Sequence, residues 1–401
     1  MRLTRTLVGS MPFVALGQAL AQTAPSVRRI AAPDAKTAPV LASPAAVRTL
    51  RDGGILVNDA RRRQLLRFDA SLATFTVIAD SAAGTMTSYG GRAGGFIRYI
   101  ADSTLFVDPA GLTMFVIDPD GRIARTASIP RSQDAPSLTS ASEPAAVDAH
   151  GRIVYREAMR MPQNIGMGAT SGQTPDSLEI VRLDMKTRKL DTAGWTRQPK
   201  VRMTFTQTEK GMSLSGVVDA VPIVDGWTVL TDGTIAIVRG LDYHVDFVGD
   251  DGVAAGPKIP FEWRQLSDDE KITFRDSIVK SMQHEFEPGA APGTFAMMHG
   301  AGHGAMQATM TLVPASELPD YVPPFGSGAV FADADDHLWV HTTLQRSNEP
   351  GIIYDVIDRK GQLIDRVQLP PARDVVGFGA GGIVYLVARD AGAAWIERTH
   401  R

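Results

Sequence analysis

Three of the eight histidines, His284, His299 and His303, fall in one stretch with Met282, Met297, Met298, Met306 and Met310. Imidazole and thioether together suit soft or borderline metals such as copper. His299 and His303 are four apart, a spacing that on a helix puts both on one face within reach of one ion. They are therefore the candidate metal ligands, and a divalent metal is the one cofactor the sequence suggests. Against that, the segment His299-Gly300-Ala301-Gly302-His303-Gly304 is a poor helix former. No carboxylate stands between the histidines as in zinc proteases. The expected reading of this stretch is therefore a Met/Gly/Ala loop and no cofactor, with a divalent metal on His299 and His303 as the alternative. The chain has no cysteine, which excludes thiolate zinc sites, iron–sulfur clusters and cysteine nucleophiles.

A second set of residues is spread along the chain at recurring positions. Arg92, Glu143 and Tyr321 lie in segments that lead into apolar runs, with Phe325 close behind Tyr321. Arg239, Asp242, His341 and Arg346 lie just after apolar runs, as do Asp59, Arg61, Arg389 and Asp390. A convergent mixture of arginine, carboxylate, histidine and aromatic groups suits an anionic or sugar-like ligand, or a polar peptide end. Arg–Asp pairs at loops also simply pin loops together, and that reading stays open for each of them. Other templates fail: there is no G-x-S-x-G elbow, phosphate loop or dinucleotide fingerprint. The stretch Phe331-Ala332-Asp333-Ala334-Asp335-Asp336-His337 lacks the glycine and distal glutamate of a calcium loop, so its aspartates read as turn formers.

The elements that position these residues repeat. One unit reads apolar strand, Asp/Gly turn, apolar strand, variable loop, apolar strand, second turn. It recurs from Thr49, Tyr99, Val147, Val229 and Phe331, and in truncated form from Gly377. Self-similar units built only of strands predict a radial repeat fold, here an all-β, six-bladed β-propeller. The blades fall at about 45–81, 96–130, 145–195, 227–260, 326–370 and 377–401. Residues 201–224 alternate polar and apolar and read as an extended hairpin. Ser267-Asp268-Asp269-Glu270 is a capping box. It opens a helix with Ile272, Ile278, Val279 and Met282 at helical spacing. That helix and the Met/His/Gly-rich stretch form one insertion, 261–320, between blades four and five. The sixth blade is one strand short at Arg401. Ser26–Ala32 or Pro39–Ala42, within the segment 22–44, could supply it and blunt the free edge. The propeller proper then covers 45–401.

Composition narrows the function classes. The 401 residues include 41 Lys and Arg, 44 Asp and Glu, and a formal net charge of −3. The longest basic run is Arg61-Arg62-Arg63, so nucleic acid is not the expected partner. Residues 1–21 read as a signal peptide: Arg2 and Arg5, an apolar stretch Leu7 to Leu20, and a small-residue site ending at Ala21. The expected location is periplasmic or secreted. The apolar stretch is too short for a membrane anchor.

The segments Asp232-Gly233-Thr234-Ile235-Ala236-Ile237-Val238 and Asp335-Asp336-His337-Leu338-Trp339-Val340, the latter preceded by Tyr321-Val322-Pro323-Pro324-Phe325, resemble the NHL/TolB-like six-bladed β-propeller proteins of exported bacterial type. The resemblance covers about Ala45 to the end and rests on blade-forming residues. Asp336-His337 departs from the glycine usual at that turn, and Gly90–Gly95 departs from the usual Gly-Pro-Gly-Glu lead-in. The resemblance implies a propeller fold, export and ligand or protein binding. The sequence thus points to a non-catalytic exported propeller that binds a protein, peptide or glycan on its loop face. The alternative is a metal-dependent hydrolase or lactonase of gluconolactonase type. Such a site needs several inward carboxylates and asparagines, and the chain has only Asn58, Asn164 and Asn348.

Overall fold

The structure, a computed structural model, describes residues 24–38, 41–82, 88–90, 95–140, 143–158, 168–199, 201–208, 211–286, 295–299, 306–345, 350–390 and 392–401. It is an all-β, six-bladed propeller with a helical insertion between blades four and five. Blade one is Pro44–Thr49, Ile55–Asp59, Gln64–Phe68 and Phe75–Ala79. Blade two is Gly95–Arg98, Thr104–Asp108, Thr113–Ile117 and Ile123–Ser128. Blade three is Ala146–Val147, Ile153–Arg156, Ser177–Leu183 and Leu190–Arg197. Blade four is Gly226–Val229, Ile235–Arg239, His244–Gly249 and Gly252–Ala255. Blade five contains Phe325–Ala332, Leu338–Thr342, Ile353–Ile357 and Leu363–Gln368. Blade six contains Arg373–Phe378, Ile383–Asp390 and Ala393–His400. Within each blade consecutive strands pair antiparallel.

The second strand of each blade is largely apolar and buried on both faces, because each sheet is covered by a neighbour on either side. Six buried clusters join blades one to two, two to three, three to four, four to five, five to six, and six to one. In the last, Val57, Leu66 and Phe68 pack on Tyr385, Val387 and Ile396. Full burial of such side chains contributes about 1.5–3 kcal/mol each. This packing holds a chain without disulfides together.

The repeated Asp turn has a physical cause. One Oδ1 of Asp118 accepts the backbone N–H groups of Asp120 and Arg122, and Asp148 does the same for His150 and Arg152. Asp333 serves Asp335 and His337, and Asp358 serves Lys360 and Gln362. Each carboxylate thus replaces the ladder partners that the turn removes. The turn aspartates do more than form turns. Asp335 accepts from Gly381 N and Gly382 N of blade six, and Asp336 from Thr231 of blade four. They tie neighbouring blades on the face of the first-to-second strand turns.

The N-terminal segment joins two blades. Ala35–Lys36 pairs antiparallel with Ala393–His400 as the fourth strand of blade six. Leu41 forms an isolated bridge to Ala394. Val27–Arg29 lies instead parallel on Leu363–Gln368, as a fifth strand of blade five. Of the two segments the sequence suggested for the sixth blade, Ser26–Ala32 therefore lies mainly on the fifth.

A seventh sheet stands apart from the blades. Its order is Gly168–Gln173, Arg202–Thr208, Gly211–Val218, Met306–Leu312 and Phe295–His299. The hairpin expected over 201–224 is its centre. The stretch after the helix, expected as loop, contributes two strands, one of them parallel to Gly211–Val218. The helix Asp268–Phe286 starts with the expected capping box: Ser267 N and Oγ donate to Glu270, and Glu270 N donates back to Ser267 Oγ. Those bonds hold the Glu270 pKa below its usual value. The helix buries Val279, with Ile278, against Val218, Met310 and Leu312, whereas Ile272 faces solvent.

Candidate ligand-binding face

In a four-stranded meander, the second-to-third strand loops and the inter-blade connections open on one face. The three long insertions all leave from that face. Gly168–Gln173 comes from the second-to-third loop of blade three, the hairpin from the connection of blades three and four, and the helix and last two strands from that of blades four and five. The added sheet is therefore built from connections of blades three to five that all open on one face of the disc. The other face has only short turns.

Arg239, Asp242 and Tyr321 are set close around blade four on the built-up face. Arg239 donates from Nη1 to Asp225 Oδ2 at 2.8 Å, from Nε to Asp246 Oδ2 at 2.8 Å, and to the Trp195 carbonyl. Burial works against its charge, but the bonds to Asp225 and Asp246 outweigh it and raise its pKa. His244 lies between Asp242 Oδ1 at 2.8 Å and Asp246 Oδ1 at 3.2 Å. In the same turn Tyr243 stacks edge-on against Phe261, and Phe261 against Trp263. Tyr321 bridges backbone to backbone with Gln265, two residues beyond Trp263. Trp195, Leu241, Trp263 and Tyr321 are 51%, 56%, 40% and 47% exposed. Four large side chains are thus exposed on segments tied to this charged network, Trp195 through its carbonyl and Trp263 through the ring series from Tyr243. Sequence reasoning missed Trp195, Leu241 and Trp263, since an isolated aromatic in a strand or connection carries no signal of exposure.

Glu143 is buried, 2.5 Å from Arg156 Nη2. Burial raises its pKa, and Arg156 opposes that shift. It ties the lead-in of blade three to the end of its second strand. Asp225–Arg239 does so in blade four, and Asp374–Arg389 in blade six. Asp59 does it in blade one by accepting Ala42 N and Ser43 N, and Asp108 in blade two by accepting Gly90 N. The recurrence of these positions along the sequence therefore reflects a repeated pin. Glu143 and Asp59 are consumed by it, while Arg239 shares the pin with an exposed patch.

His341 faces the side of blade six. Its ring lies 5.5 Å from that of Tyr354, its partner across the strand pair. The inner strand bulges away opposite it: Phe325 pairs with Thr342 and the next pair is Val330 with Val340, so Gly326–Ala329 loop out. Desolvation lowers the His341 pKa, with Asp374 pulling the other way. In blade six, Arg373 lies 5.6 Å over the Trp395 ring and donates from Nε and Nη2 to Glu397. Arg92, Arg346 and His303 lie outside the described residues. His299 sits on a strand, its backbone opposite Met306, so the helical spacing to His303 does not apply.

Among the described residues no three His, Asp or Glu side chains converge as metal ligands. The metal-dependent hydrolase alternative has no ligand set to rest on there. An open groove of about 750 Å³ lies on the rim between blades one and two, far from this face. Its Arg67 is already bound to Asp52 and to the Asp120 carbonyl.

No protein-family model and no curated protein matches the chain. Among solved structures, it is similar to a protein of Bacteroides fragilis described as exported, at 8% identity over 94% of each chain, with a TM-score of 0.45. It is similar to a DUF4221 member from Bacteroides vulgatus at 8% identity over 94% of this chain and 98% of that one, with a TM-score of 0.41. A third is virginiamycin B lyase from Staphylococcus aureus, at 10% identity over 90% and 96%, with a TM-score of 0.38.

Proposed function

We propose that this is an exported, non-catalytic propeller of NHL/TolB-like type that binds a protein, peptide or glycan on its loop face, over blade four. The observation that carries this reading is the exposed set Trp195, Leu241, Trp263 and Tyr321 around the Arg239–His244–Asp242 network. Large aromatics beside a rigid arginine are the residues that dominate binding energy when covered. Their rigidity matters, because ordering loops on binding costs affinity. Export is supported by the N-terminal charged, apolar and small-residue sequence. No helix among the described residues is long and apolar enough to cross a membrane.

The test starts from the chain beginning at Gln22, immobilised and exposed to a periplasmic extract and to a glycan array. The ligand found is then titrated against the Trp263→Ala/Tyr321→Ala double variant. Loss of two central aromatics should cost about 2 kcal/mol each, roughly 30-fold per residue and approaching about 1,000-fold in the double variant. Unchanged affinity in a variant that still folds would remove the loop-face reading.

A further inference from the structure

The opposite face holds a second cluster, at the inner ends of blades one and two. Arg48 lies on the innermost strand of blade one and Arg51 in the turn that follows it. Arg98 ends the innermost strand of blade two, and Asp102 lies in the following turn. Arg48 Nη2 is 2.6 Å from Asp102 Oδ1. Arg51 Nε is 3.9 Å from Asp102 Oδ2, and Arg98 Nη2 is 4.0 Å from Oδ1. One carboxylate thus faces three guanidinium groups, leaving a formal excess of two positive charges.

Two further observations show that the carboxylate does not complete the site. Arg48 Nε is buried and has no acceptor within reach among the described residues. A buried donor left unmade costs about 1–3 kcal/mol, so the Thr49 carbonyl and Asp102 together leave the Arg48 guanidinium incompletely paired. The second is that Arg51 and Arg98 keep 70% and 55% of their side chains exposed and touch Asp102 only at the limit of an ion pair. Their N–H groups remain available to a ligand from solvent. Asp102 and Ala101 both have left-handed backbone, with φ of 60° and 52°. The turn that presents the carboxylate is therefore held in a conformation non-glycine residues rarely adopt. Burial lowers the Arg48 pKa, and the neighbouring Arg98 charge adds to that. A second anion would relieve the repulsion.

We infer that Arg48, Arg51 and Arg98 form an oxyanion-binding site at the short-turn end of the propeller, selective for a phosphate or sulfate group. Guanidinium forks match the paired oxygens of such groups and bind them with charge-assisted hydrogen bonds. Asp102 then acts as an internal anion that orients Arg48. The site is independent of the loop-face patch, so either can fail alone.

The probe is inorganic phosphate, and separately sulfate, added to the purified protein at constant ionic strength set with chloride. Binding is read by calorimetry and by the melting temperature. The expected result is saturable binding, weakened at least 10-fold in Arg51→Ala/Arg98→Ala, whose exposed side chains can be removed without unfolding the protein. Asp102→Asn removes the competing charge and should tighten phosphate binding several-fold. Preference for phosphate or sulfate identifies which ester the natural ligand carries. No saturable binding, or equal binding in the double variant, overturns the inference. So does an Asp102→Asn protein that loses stability without gaining affinity, which would make the cluster only a clamp between blades.

Discussion

Asp355 has no exposed surface, yet it carries a carboxylate between Arg366 on the next strand and Tyr243 from blade four. Arg366 reaches on to the Pro260 carbonyl, so three segments meet at one ion pair. Burial pushes the Asp355 pKa up, while Arg366 and the tyrosine hydroxyl hold the charged form. Asp355→Ala leaves a buried guanidinium unpaired and should cost about 3–5 kcal/mol in urea unfolding. Tyr243→Phe should cost about 1.5–3 kcal/mol, because the lost bond is to a buried carboxylate. His341 gives a prediction in pH. Its folded pKa is below the unfolded value of 6.5, so the unfolded chain binds more protons near that pH. The stability concerned is present above about pH 6.5 and is lost as pH falls toward the folded pKa. The drop in melting temperature between about pH 7 and pH 5.5 should accordingly shrink in His341→Gln. At this scale the sequence was a partial guide. Asp333, Asp118 and Asp148 were legible as turn formers because the Asp turn is local. The ion pairs of Glu143 and Arg239 were not, since the spacing that suggested a shared ligand is also the spacing of a repeated pin.

Blades are legible in sequence because both faces of their middle strands are covered, giving dense apolar runs such as Leu105 to Val107 and Leu338 to Val340. The added sheet was half legible. Arg202–Thr208 and Gly211–Val218 alternate and read as a hairpin, but Gly168–Gln173 and Phe295–His299 are rich in Gly, Ser, Ala or Met. Their partners lie in other loops, so nothing local marks them as strands. Innermost strands approach closely at glycines. A Cβ on Gly377 would lie 2.6 Å from the Val47 carbonyl oxygen of blade one. Gly377→Ala should therefore destabilise by about 1–3 kcal/mol, seen as a lower urea midpoint with an unchanged slope. The N-terminal strand offers a larger test. Thr37 Oγ1 accepts from Ile396 N, and Ala35–Lys36 covers the edge of Ala393–His400. A chain starting at residue 39 should melt about 10 °C lower or more, and should aggregate through the bared edge, as light scattering would show.

The whole molecule is asymmetric about its disc: a built-up face with exposed aromatics, and a short-turn face tied by carboxylates and bearing the arginine cluster. The sixfold repeat made the fold readable, but it gave no signal for this difference, because the three insertions share one face only through topology. The N-terminal segment has a further consequence, in time. Val27–Arg29 and Ala35–Lys36 are made early by the ribosome, yet their partners, Leu363–Gln368 and Ala393–His400, are among the last strands to be made. During synthesis the first segment has no partner, and the propeller assembles from blade one onward with both ends untied. Pairing across 339 positions for Val27–Arg29 and more than 360 for Ala35–Lys36 is a slow, non-local event. A late folding step is therefore the capture of an earlier-made segment by a later-made one, and until then blade six offers its edge to any holding chaperone.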